Sequence, residues 1–400
     1  MLLPDPFKKK LIRITTAPIA FRYLLNEQMH FMAANGFDVL MISAGGKELA
    51  EVIKNEQCPH IVVPMTRKIT IVHDIKCLFQ LIKIFRRQKP HIVHTHTPKA
   101  GLLGMLAARI SGVPVRLHSN SGTPLIIARG IKRIMYFSTE YMTCMAATTV
   151  LPNSQSLLNY LYNAKVCKAD KLLLVGKGST NGIDCAYFSK ESVDINEKEK
   201  LKTAIGWNSN VFYFLFAGRL LESKGVSELV NAFTEMHKNN SSVQLILAGN
   251  VEMHLDKLSD EIITKIQEHP AIHTLGWVSD IRGVMSIANV LVHPSHREGF
   301  SNVLLQAGAM QLPVICSDCI GNIDIVTNNI NGIVFPVQNT MALQMALSFA
   351  FNNNEVMQQY AAALYTHVKS NFAKETVLYN LLEFYRSKLK NQENQAANKK

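Results

Sequence analysis

The sequence predicts an α/β protein built of two doubly wound domains in tandem, and three observations carry that expectation. A chain of 400 residues is longer than one hydrophobic core usually supports. Short runs rich in β-branched residues alternate with longer segments of helical period, the pattern of βαβ units feeding a parallel sheet. After Asp184 the polar, charge-rich stretch FSKESVDINEKEKLKTA interrupts this alternation, and a second set of strands begins beyond it.

In chain order, the first domain (residues 1–185) offers the strand candidates LIRIT, DVLMIS, HIVVPM, HIVHTH, VRLHS and TTVLPN. Between the third and fourth, residues 74–87 have helical period, with Ile75, Leu78, Phe79, Ile82 and Phe85 on one face and basic residues on the other. The second domain (residues 186–372) offers VFYFLFAG, VQLILAGN, AIHTLGWV, VLVHP, LPVICS and GIVFPV. A helix over 373–391 is expected to pack back on the first domain, and the polar stretch 392–400 is expected to be a disordered tail. Two such Rossmann-like domains would place a central cleft between the carboxyl ends of their sheets, where such folds bind ligands.

Composition narrows the function classes. No apolar run approaches the roughly 20 residues that span a bilayer, and MLLPDPFKKKLIRI puts its charges after a very short apolar stretch, which argues against a cleaved signal peptide. Seven cysteines without regular spacing suit reduced thiols in a cytoplasmic protein. Cys316 and Cys319 form a C-x-x-C, but partner ligands are not nearby, so a structural role is expected and no metal is assigned. The net charge of +12 is uneven: residues 1–185 carry 24 Lys+Arg against 10 Asp+Glu, whereas the remainder carries 18 against 20. A field of that sign attracts nucleic acid, anionic lipid or phosphorylated substrate. The absence of a recognisable nucleic-acid module or aromatic-basic ladder weighs against the first.

Two segments carry chemistry. In FAGRLLESKG a glycine at a strand end, Gly218, lets a ligand approach the backbone, and Arg219 and Lys224 beyond it suit a diphosphate; a solvated loop before a helix is the alternative. In PSHREGFSNVLLQAGAMQLPVICS a strand end leads through a loop into a helix opening near Ser301. Its N-terminal N–H groups suit phosphate and Glu298 suits sugar hydroxyls, against the alternative of a helix cap that includes an acid.

Together the two segments resemble the retaining glycosyltransferases of the large GT-B group (group 1, family 4-like). That group's pattern is G-R-x(4)-K-G followed by E-G-F-x-N-x(3)-E; here it is met by Gly218, Arg219, Lys224 and Gly225, then Glu298, Gly299, Phe300, Ser301, Asn302 and Gln306. The resemblance implies the GT-B architecture of two facing Rossmann-like domains, an acceptor-binding first domain and a donor-binding second one. It implies that Arg219 and Lys224 bind the donor diphosphate and that Glu298 lies near the donor sugar. Phe300, Ser301 and Asn302 would lie in the loop whose amides face sugar and phosphates. Gln306 stands where the family usually has a second acid for the ribose hydroxyls. Glutamine offers hydrogen bonds there without charge.

The first domain resembles the family through PHIVHTHTPKAGLLGMLAARISGVPVRLHSNSG, which is similar to enzymes of bacterial capsule and O-antigen assembly. His118 matches a histidine placed near the reacting carbon. His94 and His96 fall on one side of a strand, where a structural or acceptor-side role outranks a metal. His293 and His296 flank the donor loop, with packing as the expected role. The family's glycine-rich loop after the first strand is absent: Thr16, Pro18 and Ile19 occupy that turn with Arg22 behind, and with His96 and Lys99 they form the expected acceptor side.

The resemblance implies transfer without metal or cofactor from a nucleoside diphosphate sugar, UDP by family prevalence, to a glycan or polyprenyl-diphosphate-linked acceptor. No side chain stands out as a covalent nucleophile, which suits front-face transfer. The mixed basic and apolar segment 128–142 suits an interfacial helix on the cytoplasmic face of the inner membrane, or else an ordinary buried helix. Two other readings share these features: a sugar-nucleotide epimerase of the same build, which would need no acceptor, and a basic nucleic-acid or membrane-binding protein without catalysis.

Overall fold

The computed structural model describes residues 8–68, 70–252 and 256–397. They fold as two compact units: the chain up to Asn181 together with the chain from Glu375 onward, and Gly182–Lys374. The chain thus changes unit near 181, four residues before the expected boundary. At that point Ile183 N–H donates to Phe372 O (2.8 Å) and Lys374 N–H to Ile183 O (2.9 Å), so the outgoing and returning segments run side by side.

The sheet of the first unit contains β1 Lys9–Ile14, β2 Phe37–Ser43, β3 His60–Val62, β4 Ile92–His96, β5 Val115–Asn120 and β6 Thr149–Pro152, in the order β3-β2-β1-β4-β5-β6. Every pairing is parallel. The second unit repeats the design with β7 Phe212–Ala217, β8 Val243–Ala248, β9 Ile272–Gly276, β10 Val290–His293, β11 Val314–Ser317 and β12 Ile333–Phe335, ordered β12-β11-β10-β7-β8-β9. All twelve fall within or beside the runs expected from the sequence. Helices cover both faces, so central strands such as β7, FYFLFA, are apolar almost throughout. The order reverses beside β1 and β4 in one sheet and beside β7 and β10 in the other. In such folds, ligands gather at the carboxyl ends of these strands.

The final helix, Lys374–Ala397, packs Leu381, Leu382 and Tyr385 into the core of the first unit beside Leu11, Phe21 and Met29. The stretch expected as a tail from Gln392 continues this helix to Ala397. Its Glu, Gln, Asn and Ala residues are compatible with helix, and Glu393 pairs with Lys9 at 2.8 Å. Residues 398–400 lie outside the described residues. Among the described residues, no helix is long and apolar enough to cross a membrane.

The helix expected over 74–87 runs Ile71–Gln88, but its buried stripe is Cys77, Leu81, Ile82 and Phe85. Ile75 and Phe79 instead face outward with Ile71 and Val72. This helix has more apolar side chains than one face can bury against the neighbouring helix Pro98–Ile110, and the surplus forms an exposed patch.

Candidate active site

In the second unit, β7 ends at Ala217 and the chain turns through Gly218 and Arg219 into the short turn Glu222–Lys224. Gly225 has φ +71°, and a Cβ there would lie 2.1 Å from Pro294 O. Only glycine permits that approach. His296 N–H donates to Ser223 O (3.0 Å) on the same seam, so the loop after β7 is fastened to the loop after β10. The fastening brings Lys224 Nζ to 2.5 Å from Glu298 Oε1, both side chains being largely buried. His293, at the end of β10, places Nε2 3.1 Å from the same oxygen.

Burial pushes the Glu298 carboxyl up, but the bond from His293 and the charge of Lys224 outweigh it and hold the group well below the usual carboxylate range. Glu298 is therefore an ionised acceptor of hydrogen bonds, fixed by two donors. Arg219 pairs elsewhere, with Glu252 at 3.3 Å, and its side chain is 52% exposed. Lys224 and Glu298 are thus in contact, while Arg219 stands with a different partner.

Beyond Glu298, Gly299 and Phe300 lead to Ser301 at the N-cap of the helix Asn302–Ala309. The Phe300 ring packs edge-on against Phe372 at 5.2 Å. That contact anchors the loop, leaving the backbone as the part of Phe300 available to a ligand. Ser301 is buried, Asn302 is exposed and Gln306 is half-buried one turn on. Among the described residues, His293 Nδ1, Arg297 Nε and Ser301 Oγ are buried without a hydrogen-bond partner. Three such atoms in nine residues are unusual for a purely structural loop and suit one that receives a polar ligand. Cys316 and Cys319 are buried nearby. Burial pushes both thiols up, Cys319 to about 12, so they sit as neutral packing groups.

In the first unit, His118 on β5 is almost wholly buried, its Nδ1 3.0 Å from Thr95 Oγ1. A Cβ on Gly101 would lie 2.4 Å from His118 Cε1, so the helix Pro98–Ile110 presses on this ring. Burial pulls the imidazole down to about 4, which makes it neutral. Thr16, in the turn after β1, accepts from Ala100 N–H (3.3 Å), and its hydroxyl lies 2.7 Å from that of Thr97. Thr97 has φ +70°, a strained setting for a β-branched residue. Its hydroxyl is held by Thr16, and two residues on Lys99 reaches Asp74 at 2.5 Å. Pro18 opens the helix Pro18–Leu24 with Ile19 inside it, and Arg22 pairs with Glu51 at 3.0 Å.

His96 belongs to a buried network. The guanidinium of Arg13, fully buried, donates to His96 Nε2 (2.9 Å), Gln28 Oε1 (2.6 Å) and Tyr385 Oη (3.1 Å). The His96 ring lies against that of His94, centres 4.2 Å apart and planes tilted by 35°, and His94 Nδ1 lies 2.5 Å from Tyr385 Oη. Because Arg13 only donates, His96 must carry its hydrogen on Nδ1. This network, unseen in the sequence, had one signal: a charged residue inside the apolar strand LIRIT. His293, expected to pack, is the other residue given too little weight; it touches Glu298 directly.

Two doubly wound units, one carrying a clamped acid–lysine pair at the carboxyl end of its sheet, make an α/β framework of the kind that binds ligands at its strand ends. Residues 13–155 match the model of the glycosyl transferase 4-like family, and residues 197–366 match that of the glycosyl transferases group 1. The chain belongs to these glycosyltransferases. It is 29% identical over 371 residues to the capsular polysaccharide biosynthesis glycosyltransferase CapM of Staphylococcus aureus, covering 92% of this chain and 95% of that one. It is 28% identical over 320 residues to the UDP-Gal:alpha-D-GlcNAc-diphosphoundecaprenol alpha-1,3-galactosyltransferase of Escherichia coli, 78% and 77% being covered. Among solved structures, Anabaena HepE in complex with UDP superposes with a TM-score of 0.78 at 17% identity, covering 95% of this chain and 100% of that one. That likeness is one of fold.

Proposed function

We propose that this glycosyltransferase moves a hexosyl or N-acetylhexosaminyl group, with retention, from a UDP-sugar to a sugar carried on a polyprenyl diphosphate in the assembly of a bacterial capsule or O-antigen. The observation that carries the donor side is the Lys224–Glu298 contact, inside the segments that match the family pattern. The E. coli relative, named for a UDP-sugar donor and a diphosphoundecaprenol acceptor, supports the choice of both substrates. Because the relatives are transferases by name, an epimerase is the less favoured reading.

In this reading Glu298, held by His293 and Lys224, accepts hydrogen bonds from donor-sugar hydroxyls. Lys224 and Arg219 counter the charge that grows on the diphosphate as its bond to the anomeric carbon breaks. The acceptor oxygen bonds to that carbon on the face the diphosphate leaves, and its proton passes to a phosphate oxygen. His118 is a neutral positioning group on the first unit, and Thr16, Pro18, Arg22, His96 and Lys99 lie on the acceptor side.

The reading extends to the anionic cytoplasmic face of the inner membrane. The helix Gly130–Ala146 buries Glu140 and Thr143 yet exposes Ile131 (84%) and Ile134 (66%), with Met135 and Met142 on the same outward side. Lys132 and Arg133 stand among them. An apolar outer face bearing cations suits a bilayer surface. Sedimentation with anionic liposomes should carry the protein down, neutral liposomes much less; binding that ignores lipid charge counts against this extension.

The function itself is tested by incubating the protein with UDP-sugars and a polyprenyl-diphosphate sugar and determining the anomeric configuration of the product. A retained linkage is expected. Release of free epimerised sugar without acceptor would replace this reading by the epimerase.

A further inference from the structure

A cavity of about 390 Å³ opens in the first unit between three helices, Ile71–Gln88, Pro98–Ile110 and Gly130–Ala146. That volume falls within the ~300–1,000 Å³ typical of small-molecule sites. It lies at the carboxyl end of the first sheet, because Pro98 and Lys99 follow β4 directly, Pro124 follows β5 and Arg67 follows β3. Its walls are chiefly apolar, with Leu102, Met135, Met142 and Pro124 contributing.

The charged groups that face it are largely settled. Asp74 is paired with Lys99, which also donates to Lys68 O at 2.7 Å. Glu140 is buried, accepts from Asn120 Nδ2 at 3.1 Å, and is pushed up to about 7 by burial. Arg67, at the rim, is exposed and has no carboxylate partner among the described residues. Two of the helices that wall it also carry exposed apolar side chains, Ile71, Val72 and Ile75 on one and Ile131 and Ile134 on the other.

We propose that this cavity takes the isoprenoid units of the acceptor lipid nearest its diphosphate, with Arg67 holding the diphosphate at the rim. The proposal rests on the acceptor reading given above and assigns that acceptor a specific seat. Flexible methionines at the opening suit a chain that must slide in and out. With Asp74 paired to Lys99 and Glu140 held by Asn120, Arg67 is the exposed cation at the rim, the arrangement that an apolar tail with an anionic head requires.

Calorimetry with geranylgeranyl diphosphate, below its micellar concentration and without membranes, tests the seat directly. The wild type should bind one molecule per chain, at least tenfold more tightly than inorganic pyrophosphate. Leu102→Trp and Met142→Trp, which fill the cavity, should each weaken that binding tenfold or more. Arg67→Ala should remove the preference for geranylgeranyl diphosphate over geranylgeraniol. UDP binding, carried by the second unit, and the unfolding temperature serve as controls that the variants fold. Unchanged prenyl binding in both tryptophan variants overturns the proposal. So does an equal loss of affinity for a sugar diphosphate lacking the prenyl tail, which would make the cavity a sugar site. Prenyl binding that responds as expected, in a protein that transfers no sugar to any lipid-linked acceptor, upholds the seat and overturns the transfer reading instead.

Discussion

Lys224 Nζ lies 2.5 Å from Glu298 Oε1, across 74 residues of sequence, and His293 Nε2 approaches the same oxygen at 3.1 Å. Removing the lysine leaves a largely buried carboxylate with one donor fewer. Lys224→Met should therefore cost about 2–4 kcal/mol of stability and lower turnover at least a hundredfold. Adding Glu298→Gln removes the uncompensated charge, so the double variant should regain stability but not activity. Urea unfolding and initial rates on the same preparations separate the two effects. A double variant no more stable than Lys224→Met would mean that the pair is not electrostatically coupled.

Arg219 gives the opposite combination. Its side chain is half exposed and pairs with Glu252 at 3.3 Å, so Arg219→Ala should leave stability within about 0.5 kcal/mol. If it also steadies the leaving diphosphate, turnover should fall at least tenfold, equivalent to about 1.4 kcal/mol. Near-normal turnover would remove Arg219 from the donor site.

The strands were legible in the sequence for physical reasons, and the segments that meet at Lys224 and Glu298 stood out by their resemblance to the family pattern. Buried parallel strands leave near-continuous apolar runs, and the close approach of Gly225 to Pro294 O leaves a glycine at a fixed place after the first strand of the second unit. The rest depended on contacts that spacing does not encode. Tyr385 meets Arg13 from 372 positions away. His293 acts on Glu298 only because the loop between them folds back. Helical period tells which residues share a face, not which face turns inward; the helix Gly130–Ala146 buries Glu140 and exposes Ile131, and Ile75 and Phe79 on the earlier helix face solvent for the same reason.

Two buried groups set opposing pH limits. His118 is pulled from 6.5 down to about 4, so the folded state resists a proton that the unfolded chain accepts; its contribution is complete above pH 6.5 and is lost as pH falls toward 4. Glu140 is pushed from 4.5 up to about 7, so its contribution is complete below pH 4.5 and is lost as pH rises through 7. Glu140→Gln, which keeps an acceptor for Asn120, should be more stable than the wild type by about 2 kcal/mol at pH 8 and lose that advantage near pH 4.5. His118→Gln should flatten the acid side instead. Unfolding temperatures measured from pH 4 to pH 8 check both, and a constant offset for Glu140→Gln across that range would show that its carboxyl does not titrate there.

Gln306 stands one turn into the helix that begins at Asn302, half-buried, where the family pattern has an acid. If position 306 faces the ribose, as the family resemblance implies, an acid there would accept from both hydroxyls, whereas an amide accepts through one atom and donates through the other. A charged acceptor strengthens a hydrogen bond, to about 1.5–3 kcal/mol against roughly 1 for a neutral one. Gln306→Glu should therefore bind UDP severalfold to tenfold more tightly, with deoxyuridine diphosphate gaining less because it lacks the 2′-hydroxyl. Calorimetric titration with both nucleotides reads that difference. Equal gains for the two would show that position 306 does not face the ribose, and a loss for both would mean that the carboxylate lies too close to the diphosphate. In the first case the glutamine is explained by the packing of this helix; in the second, by the need for a neutral side chain beside the diphosphate.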